Sequence, residues 1–499
     1  MRRSYVTVLL LLILYLCWWP ATVYGAPAAA AAPAQVSIAA PAVAPLDPAS
    51  AQPAAPKEDA SSVAMILAAA ILIGVYILIA FELLHRTVAA LLGAASILMI
   101  TYVLGAFNSA FVILTFESAL EYIDLNVIFL LMAMMVLVTI TARTGVFQWL
   151  AVAAYRRASG STWRLVLLLT IATAILSAFL DNVTTMLLMV PITLEIALIL
   201  RLNALALLLP EVFASNIGGA ATLIGDPPNL LIASYADLSF GSFLVYMAPA
   251  AVLALIGLLI MMPFLYRGQY PSSSKEESQA LLHRLETEFV IKDTRTLRRA
   301  LVVLAGVVVF FLLSSYFHME ASVPALMGMA VLLVWTKADI VQELEGVEWP
   351  SLLFFIGLFI VIGAAVETGL IQVVAEAVAA LAGGDLTRAI ILVIWITAIG
   401  SMLVDNIPIT ATMLPVVAFL TESIPGASNN ILYWALALGA CFGGNGTIIG
   451  ASANIITVGL AERAGFTVSF GQFARKGLPV TLMSLVIATG WVLFLAWMS

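Results

Sequence analysis

Charged residues are scarce in this chain. Asp, Glu, Lys and Arg make up 10% of its 499 residues against 63% apolar ones, which excludes a soluble enzyme of ordinary make-up. Histidine is nearly missing, and His85, His283 and His318 stand too far apart in sequence to read as a metal-ligand cluster. Cys17 and Cys441 are the whole cysteine complement, so neither a disulfide framework nor a CxxC redox pair can be built. A formal charge of -7 offers no basic face, and nucleic acid is not an expected partner. No resident cofactor or metal is expected, with H+ or Na+ considered only as a coupling ion.

Long apolar runs are what the chain has instead. A membrane-crossing helix needs about 20 predominantly apolar residues. Runs of that kind lie near 62–82, 87–104, 126–142, 240–266, 299–317, 321–336, 350–366 and 478–498. The chain therefore reads as an all-α polytopic protein of an inner or plasma membrane. Ahead of these runs, Arg2-Arg3, the apolar stretch from Tyr5 to Trp19 and Val23-Tyr24-Gly25 suit a signal peptide or anchor over 1–25. The Ala/Pro-rich stretch 26–61 reads as an extended tether.

Two regions, about 161–240 and 387–460, are apolar but interrupted, and the interruptions match. The first carries Asp181-Asn182-Val183-Thr184-Thr185, then Pro191, then Gly218-Gly219 through Gly225-Asp226-Pro227-Pro228-Asn229. The second carries Asp405-Asn406-Ile407-Pro408-Ile409-Thr410, then Pro415, then Gly443-Gly444-Asn445-Gly446-Thr447 through Gly450-Ala451-Ser452-Ala453-Asn454. Asp405 follows Asp181 by 224 residues and Gly450 follows Gly225 by 225, so the copies keep register across the block. Thr144-Gly145 and Thr368-Gly369 repeat at the same interval. Polar, helix-breaking segments at corresponding places in two apolar halves are the best sequence pointer to a secondary transporter's binding site.

Lys and Arg accumulate on cytoplasmic loops. An entry from outside at the first span puts Arg86, Arg143, Arg156, Arg157, Arg164, Arg201 and Arg267 on the cytoplasmic side, together with the cluster from Lys275 to Arg299. That tally works only if the segment between Arg164 and Arg201 turns back at Asp181-Asn182 as a re-entrant hairpin. An odd number of crossings then separates the copies, and the second hairpin, about 387–421, dips from the other side. The expected fold is two inverted repeats, each with a re-entrant hairpin and a broken transmembrane helix. The first repeat with its leading helix covers 62–267, a cytoplasmic linker 268–298, and the second repeat 299–499.

The repeated residues have chemistry to match. A broken span leaves unpaired N–H groups at one half-helix start, which attract anions, and unpaired carbonyls at the other end, which coordinate cations. An aspartate near the bilayer centre costs roughly 2.5–3.5 kcal/mol on insertion scales, so Asp181 and Asp405 need a reason to be there. They either carry H+ or Na+, or cap the second arm of each hairpin. Asp226 has no acidic counterpart, since Ala451 takes its place, and is read either as a second coupling carboxylate or as a turn residue ahead of Pro227. Asn182, Asn406, Asn229 and Asn454 are candidate cavity-lining amides, with helix capping as the other reading. Thr184, Thr185, Asn216, Thr222, Thr410, Asn445 and Thr447, with Gly218, Gly219, Gly225, Gly443, Gly444 and Gly450, complete the candidate site. Arg143 opposes Glu367 in the repeat alignment and suggests a charge pair, or else an interfacial snorkelling side chain.

The run Phe179 to Thr185, with Ser215-Asn216-Ile217-Gly218-Gly219 and Gly225 to Asn229, resembles the ion transporter superfamily over about 62–499. The likeness is to its branch of arsenite permeases, P-protein permeases and sodium/proton antiporters, with citrate and dicarboxylate transporters more distant. Where dicarboxylate carriers have Ser-Asn-Thr at both tips, this chain has Asp-Asn. The resemblance implies a transport domain, built from hairpin tips and unwound helices, that moves like an elevator against a homodimeric scaffold. The expected function is H+- or Na+-coupled transport of a small anion or oxyanion, with no enzymatic reaction. The alternatives are a cation/proton antiporter and, further off, a membrane-embedded aspartyl hydrolase or a channel.

Overall fold

The computed structural model describes residues 62–159, 161–270, 291, 293–427 and 429–498. These residues lie in the larger of two compact units, Ala55–Ser499. The signal peptide or anchor over 1–25, the tether over 26–61 and most of the linker over 268–298 lie outside the described residues.

The described chain is all helix and turn. In the first half the helices are α1 (Ser62–Ala80), α2 (Arg86–Met99, continuing as a wider π turn to Leu104), α3 (Phe116–Glu121), α4 (Leu125–Arg143), α5 (Val146–Ala158), α6 (Thr162–Phe179), α7 (Asn182–Ile199), α8 (Ala204–Gly219), α9 (Pro227–Tyr235), α10 (Phe240–Tyr246) and α11 (Ala248–Leu265). The second half has α12 (Thr294–Phe317), α13 (Ser322–Thr336), α14 (Ile340–Glu345), α15 (Trp349–Glu367), α16 (Leu370–Ala382), α17 (Leu386–Val404), α18 (Asn406–Ser423), α19 (Ile431–Gly443), α20 (Ser452–Arg463) and α21 (Phe470–Met498). Ten helices among the described residues are long and apolar enough to cross a membrane. This is a multi-pass membrane protein.

The duplication reaches the element boundaries. Helices α3, α4, α5 and α7 start at 116, 125, 146 and 182, and α14, α15, α16 and α18 start 224 residues later at 340, 349, 370 and 406. Both copies turn from the fourth element into the fifth on a left-handed glycine, Gly145 with φ 84° and Gly369 with φ 76°, a conformation a Cβ would resist. Caps set the arms: the Ser161 hydroxyl accepts from Arg164 N at the start of α6, and the Asp385 carboxylate from Arg388 N at the start of α17. At the start of α12, Asp293 accepts from the N–H groups of Arg295 and Thr296 and from the Thr296 hydroxyl, which holds its carboxyl below the usual range.

Three expected spans differ in detail. The run 240–266 is two helices, because the chain bends at Met247 ahead of Pro249. Helix α13 is only 15 residues long, whereas the run 478–498 belongs to a helix of 29. The hairpin arms, read from sequence as interrupted regions, are helices of 18, 18, 19 and 18 residues, and the first three count among the ten apolar ones. At about 1.5 Å per residue an arm of this size is roughly 27 Å long.

Packing crosses between the copies. Helix α8 lies against α6 and α19 against α17, backbone to backbone where Gly218 meets Ala174 and Gly443 meets Ala398. Beyond each break the exchange begins: α9 packs on α18 of the second hairpin, and α20 on α7 of the first. Helices α2 and α15 likewise pair across the copies, as do α4 and α13. The breaks and hairpin tips are thereby brought to one place.

Candidate ion-binding site

Each hairpin tip is a short extended break between two helices. Helix α6 gives way to extended backbone at Leu180, with φ -118° and ψ 155°, and Asp181 caps α7 by accepting from Thr184 N at 2.8 Å and from the Thr184 hydroxyl at 2.6 Å. Asp405 caps α18 only weakly, from Ile407 N at 3.4 Å. Its backbone has φ 119° and ψ 149°, outside the region open to side chains other than glycine. Its carboxylate instead accepts from the Ser452 hydroxyl at 3.0 Å and stands 3.5 Å from the Arg86 guanidinium.

The breaks are built by close backbone crossing. A Cβ on Gly219 would lie 2.5 Å from Gly225 O, and one on Gly450 2.7 Å from Gly444 O, so the unwound strand can fold back only through glycine. The returning asparagine then fastens each loop. Asn229 Nδ2 donates to Gly219 O (3.2 Å) and Thr222 O (2.8 Å), and Asn454 Nδ2 to Gly444 O (2.7 Å) and Thr447 O (2.8 Å). The hydroxyls of Thr222 and Thr447 donate to Ala178 O and Met402 O of the adjacent hairpins. Asn229 and Asn454 thus act as staples of the breaks and do not line the cavity.

Amides join the two copies. Asn182 Nδ2 donates to Asn216 Oδ1 at 3.3 Å, and Asn216 Nδ2 reaches Asn445 Oδ1 at 2.9 Å and Asn454 Oδ1 at 3.0 Å. In the other direction Asn406 Nδ2 contacts both oxygens of Asp226 at 3.1 Å. Asp226 is fully buried and makes no side-chain cap to α9, so the turn-residue reading does not account for its carboxylate. Asn445 Nδ2 and the Thr185 hydroxyl are buried without a hydrogen-bond partner. The Thr410 hydroxyl bonds back to Asn406 O and is not part of the wall of the cavity between the copies.

These elements enclose a narrow cavity of about 20 Å³, lined by Asp181, Asn182, Asp226 and Asn406 with Arg86, Glu348, Ser351 and Ser452. The gap between the side chains admits on the order of one water molecule. The expectation that the α9 N-terminus offers N–H groups to an anion is corrected here. Pro227 and Pro228 have no N–H, and that of Asn229 is taken by Asp226 O at 3.0 Å.

Sequence reasoning missed half of the polar residues on the cavity wall. Arg86 was counted as a cytoplasmic loop charge, yet it is the first residue of α2 and turns into the cavity. Glu348 and Ser351, outside both motifs, were not among the candidates. Ser452, inside the second motif, was the one that could have been found. The suggested Arg143 pairing with Glu367 is also corrected: Arg143 pairs with Glu343 at 2.9 Å, and Glu367 accepts from the Tyr122 hydroxyl at 3.2 Å. Burial pushes the Glu343 carboxyl up, against the opposing pull of Arg143.

With this geometry in hand, similarity adds the rest. The citrate transporter family matches residues 76–439. A 46 kDa membrane protein of Mycobacterium leprae is 41% identical over 424 residues, which is 85% of this chain and 97% of that one. The human P protein is 36% identical over 503 residues, 86% of this chain and 59% of its own length. Among solved structures, the YdaH transporter of Alcanivorax borkumensis shares the fold at a TM-score of 0.55 and 15% identity, over 83% of this chain and 98% of that one.

Proposed function

Because this chain belongs to the citrate transporter family, we propose that it is a secondary active transporter that moves a small anion, a carboxylate or oxyanion, in company with H+ or Na+. The observation that carries the reading is the cross-copy cavity, where both hairpin tips and the Asp226 break converge on one acidic hollow with a single guanidinium. Carboxylates buried beside an otherwise apolar bundle suit a coupling ion, and the arginine suits an anion. The two copies are inverted in the membrane on this reading, as the distribution of Lys and Arg suggests. Hairpins, breaks and their packed helices then move as one body, in an elevator-like cycle within a homodimer.

A second reading, cation/proton antiport, draws on the same cavity. Room for about one water beside the carboxyl groups of Asp181, Asp226 and Glu348 fits a bare cation better than a carboxylate anion. Proteoliposomes loaded in turn with citrate, succinate, arsenate and arsenite, under imposed H+ or Na+ gradients, separate the two. Saturable, gradient-driven anion flux is the expected result. Cation/proton exchange with no anion flux would transfer the site to the second reading, and an unsaturable conductance would make the protein a channel.

A further inference from the structure

The groups that face this cavity do not balance in charge. Asp181, Asp226 and Glu348 line it and Asp405 stands directly behind, while Arg86 is the only Lys or Arg on its wall among the described residues. Arg86 is only 15% exposed, with its guanidinium 5.5 Å from the Phe354 ring centre. Its hydrogen bonds go to two hydroxyls, Ser351 at 2.8 Å and Ser452. Its carboxylate partners, Asp405 at 3.5 Å and Glu348 at 3.6 Å, are beyond the roughly 2.7–2.9 Å of a charge-assisted hydrogen bond. The guanidinium is thus screened by two acids yet gripped by neither, and its planar fork is the geometry that holds a carboxylate or oxyanion. The α9 N-terminus, with prolines at its first two positions, offers the anion no N–H of its own there.

We infer that Arg86 is the anion-binding residue of this transporter, and that the substrate's carboxylate or oxyanion takes the place Asp405 and Glu348 hold beside it. The inference rests on the anion-transport reading above. An added negative charge enters a hollow lined by three carboxyl groups, with Asp405 behind them, against one guanidinium only when H+ or Na+ neutralises some of them. Asp405 is the acid whose neutralisation frees Arg86. Coupling follows from this sharing: the anion is admitted once the co-ion has removed its rival, and neither crosses alone.

The test uses the full chain in nanodiscs, with citrate, succinate and arsenate as probes and equilibrium binding as the readout. Arg86→Gln is expected to weaken anion binding at least about tenfold, the value of one charge-assisted hydrogen bond. Arg86→Lys, which keeps the charge but loses the fork, should fall between. Asp405→Asn is expected to bind the anion more tightly than wild type and with less dependence on pH or Na+. Should Arg86→Gln fail to fold around an unpaired Asp405, the double variant Arg86→Gln/Asp405→Asn removes both charges, and it too is expected to lose anion binding. Wild-type anion affinity in the folded double variant overturns the assignment of Arg86. Cation/proton exchange by a wild-type protein that binds none of the probes overturns the underlying anion reading instead.

Discussion

Asp181 and Asp405 look equivalent in sequence and are not equivalent in structure. Asp181 is a well-made cap, whereas Asp405 adopts a glycine-like backbone that costs about 1–3 kcal/mol, with its carboxylate bonded by Ser452 and 3.5 Å from Arg86. Asn caps a helix as well as Asp does, so Asp181→Asn should leave thermal stability in detergent unchanged while lowering coupled flux by about tenfold or more. Asp405→Asn should lose flux and also melt earlier, because Arg86 keeps a weaker acceptor. Flux with wild-type pH dependence in both variants would remove the aspartates from coupling. The acids and amides of the tips were legible in the sequence because a polar residue in an apolar run has few innocent explanations. Arg86 and Glu348 were not, since each sits at the end of an ordinary span, where a charge is the rule.

At the scale of elements, the breaks depend on glycines that let a chain cross itself. Gly219→Ala would press a methyl against Gly225 O, and the expected outcome is a loss of about 1–3 kcal/mol of stability together with most of the transport. Gly74→Ala in α1, where a Cβ meets nothing within 4 Å, is the control and should be neutral or stabilising by about 0.5–1 kcal/mol. Melting curves and flux on the two variants side by side check this, and equal behaviour would mean the break tolerates a side chain. The breaks themselves were readable from Gly-Gly and Pro-Pro. What the half-helix ends do was not, because at α9 the prolines that announce a helix start also remove the donors an anion would use, and Asn229 and Asn454 turned inward to the loop carbonyls.

At the scale of the molecule, the proposed cycle requires the hairpins to shift against the outer helices. Tyr76 of α1 donates to Pro408 O at 2.9 Å and touches Thr412 of α18, which makes this pair a point where such a movement can be arrested. Cysteines at Tyr76 and Thr412, in a background lacking Cys441 and Cys17, should be bridged by a bifunctional thiol reagent with a cleavable spacer, since the length of the tyrosine puts the two Cβ atoms beyond disulfide reach, and transport should stop until the spacer is cut. Undiminished flux through the bridged protein would mean that α1 and α18 travel together, against the elevator-like proposal.

The sequence by itself determined the multi-pass all-helical class, the duplication and its interval, the hairpin tips and the family, because hydropathy, helix breakers and repeated motifs are local properties of the chain. Only the tertiary structure decided which of the polar residues meet. The second half-helix of each copy packs on the hairpin of the other, so Asp226 finds Asn406, Asn216 finds Asn445 and Arg86 finds Asp405 across hundreds of residues. No local pattern encodes such pairings. They follow from how two similar units fill space against each other, and the charge balance of the cavity is set there.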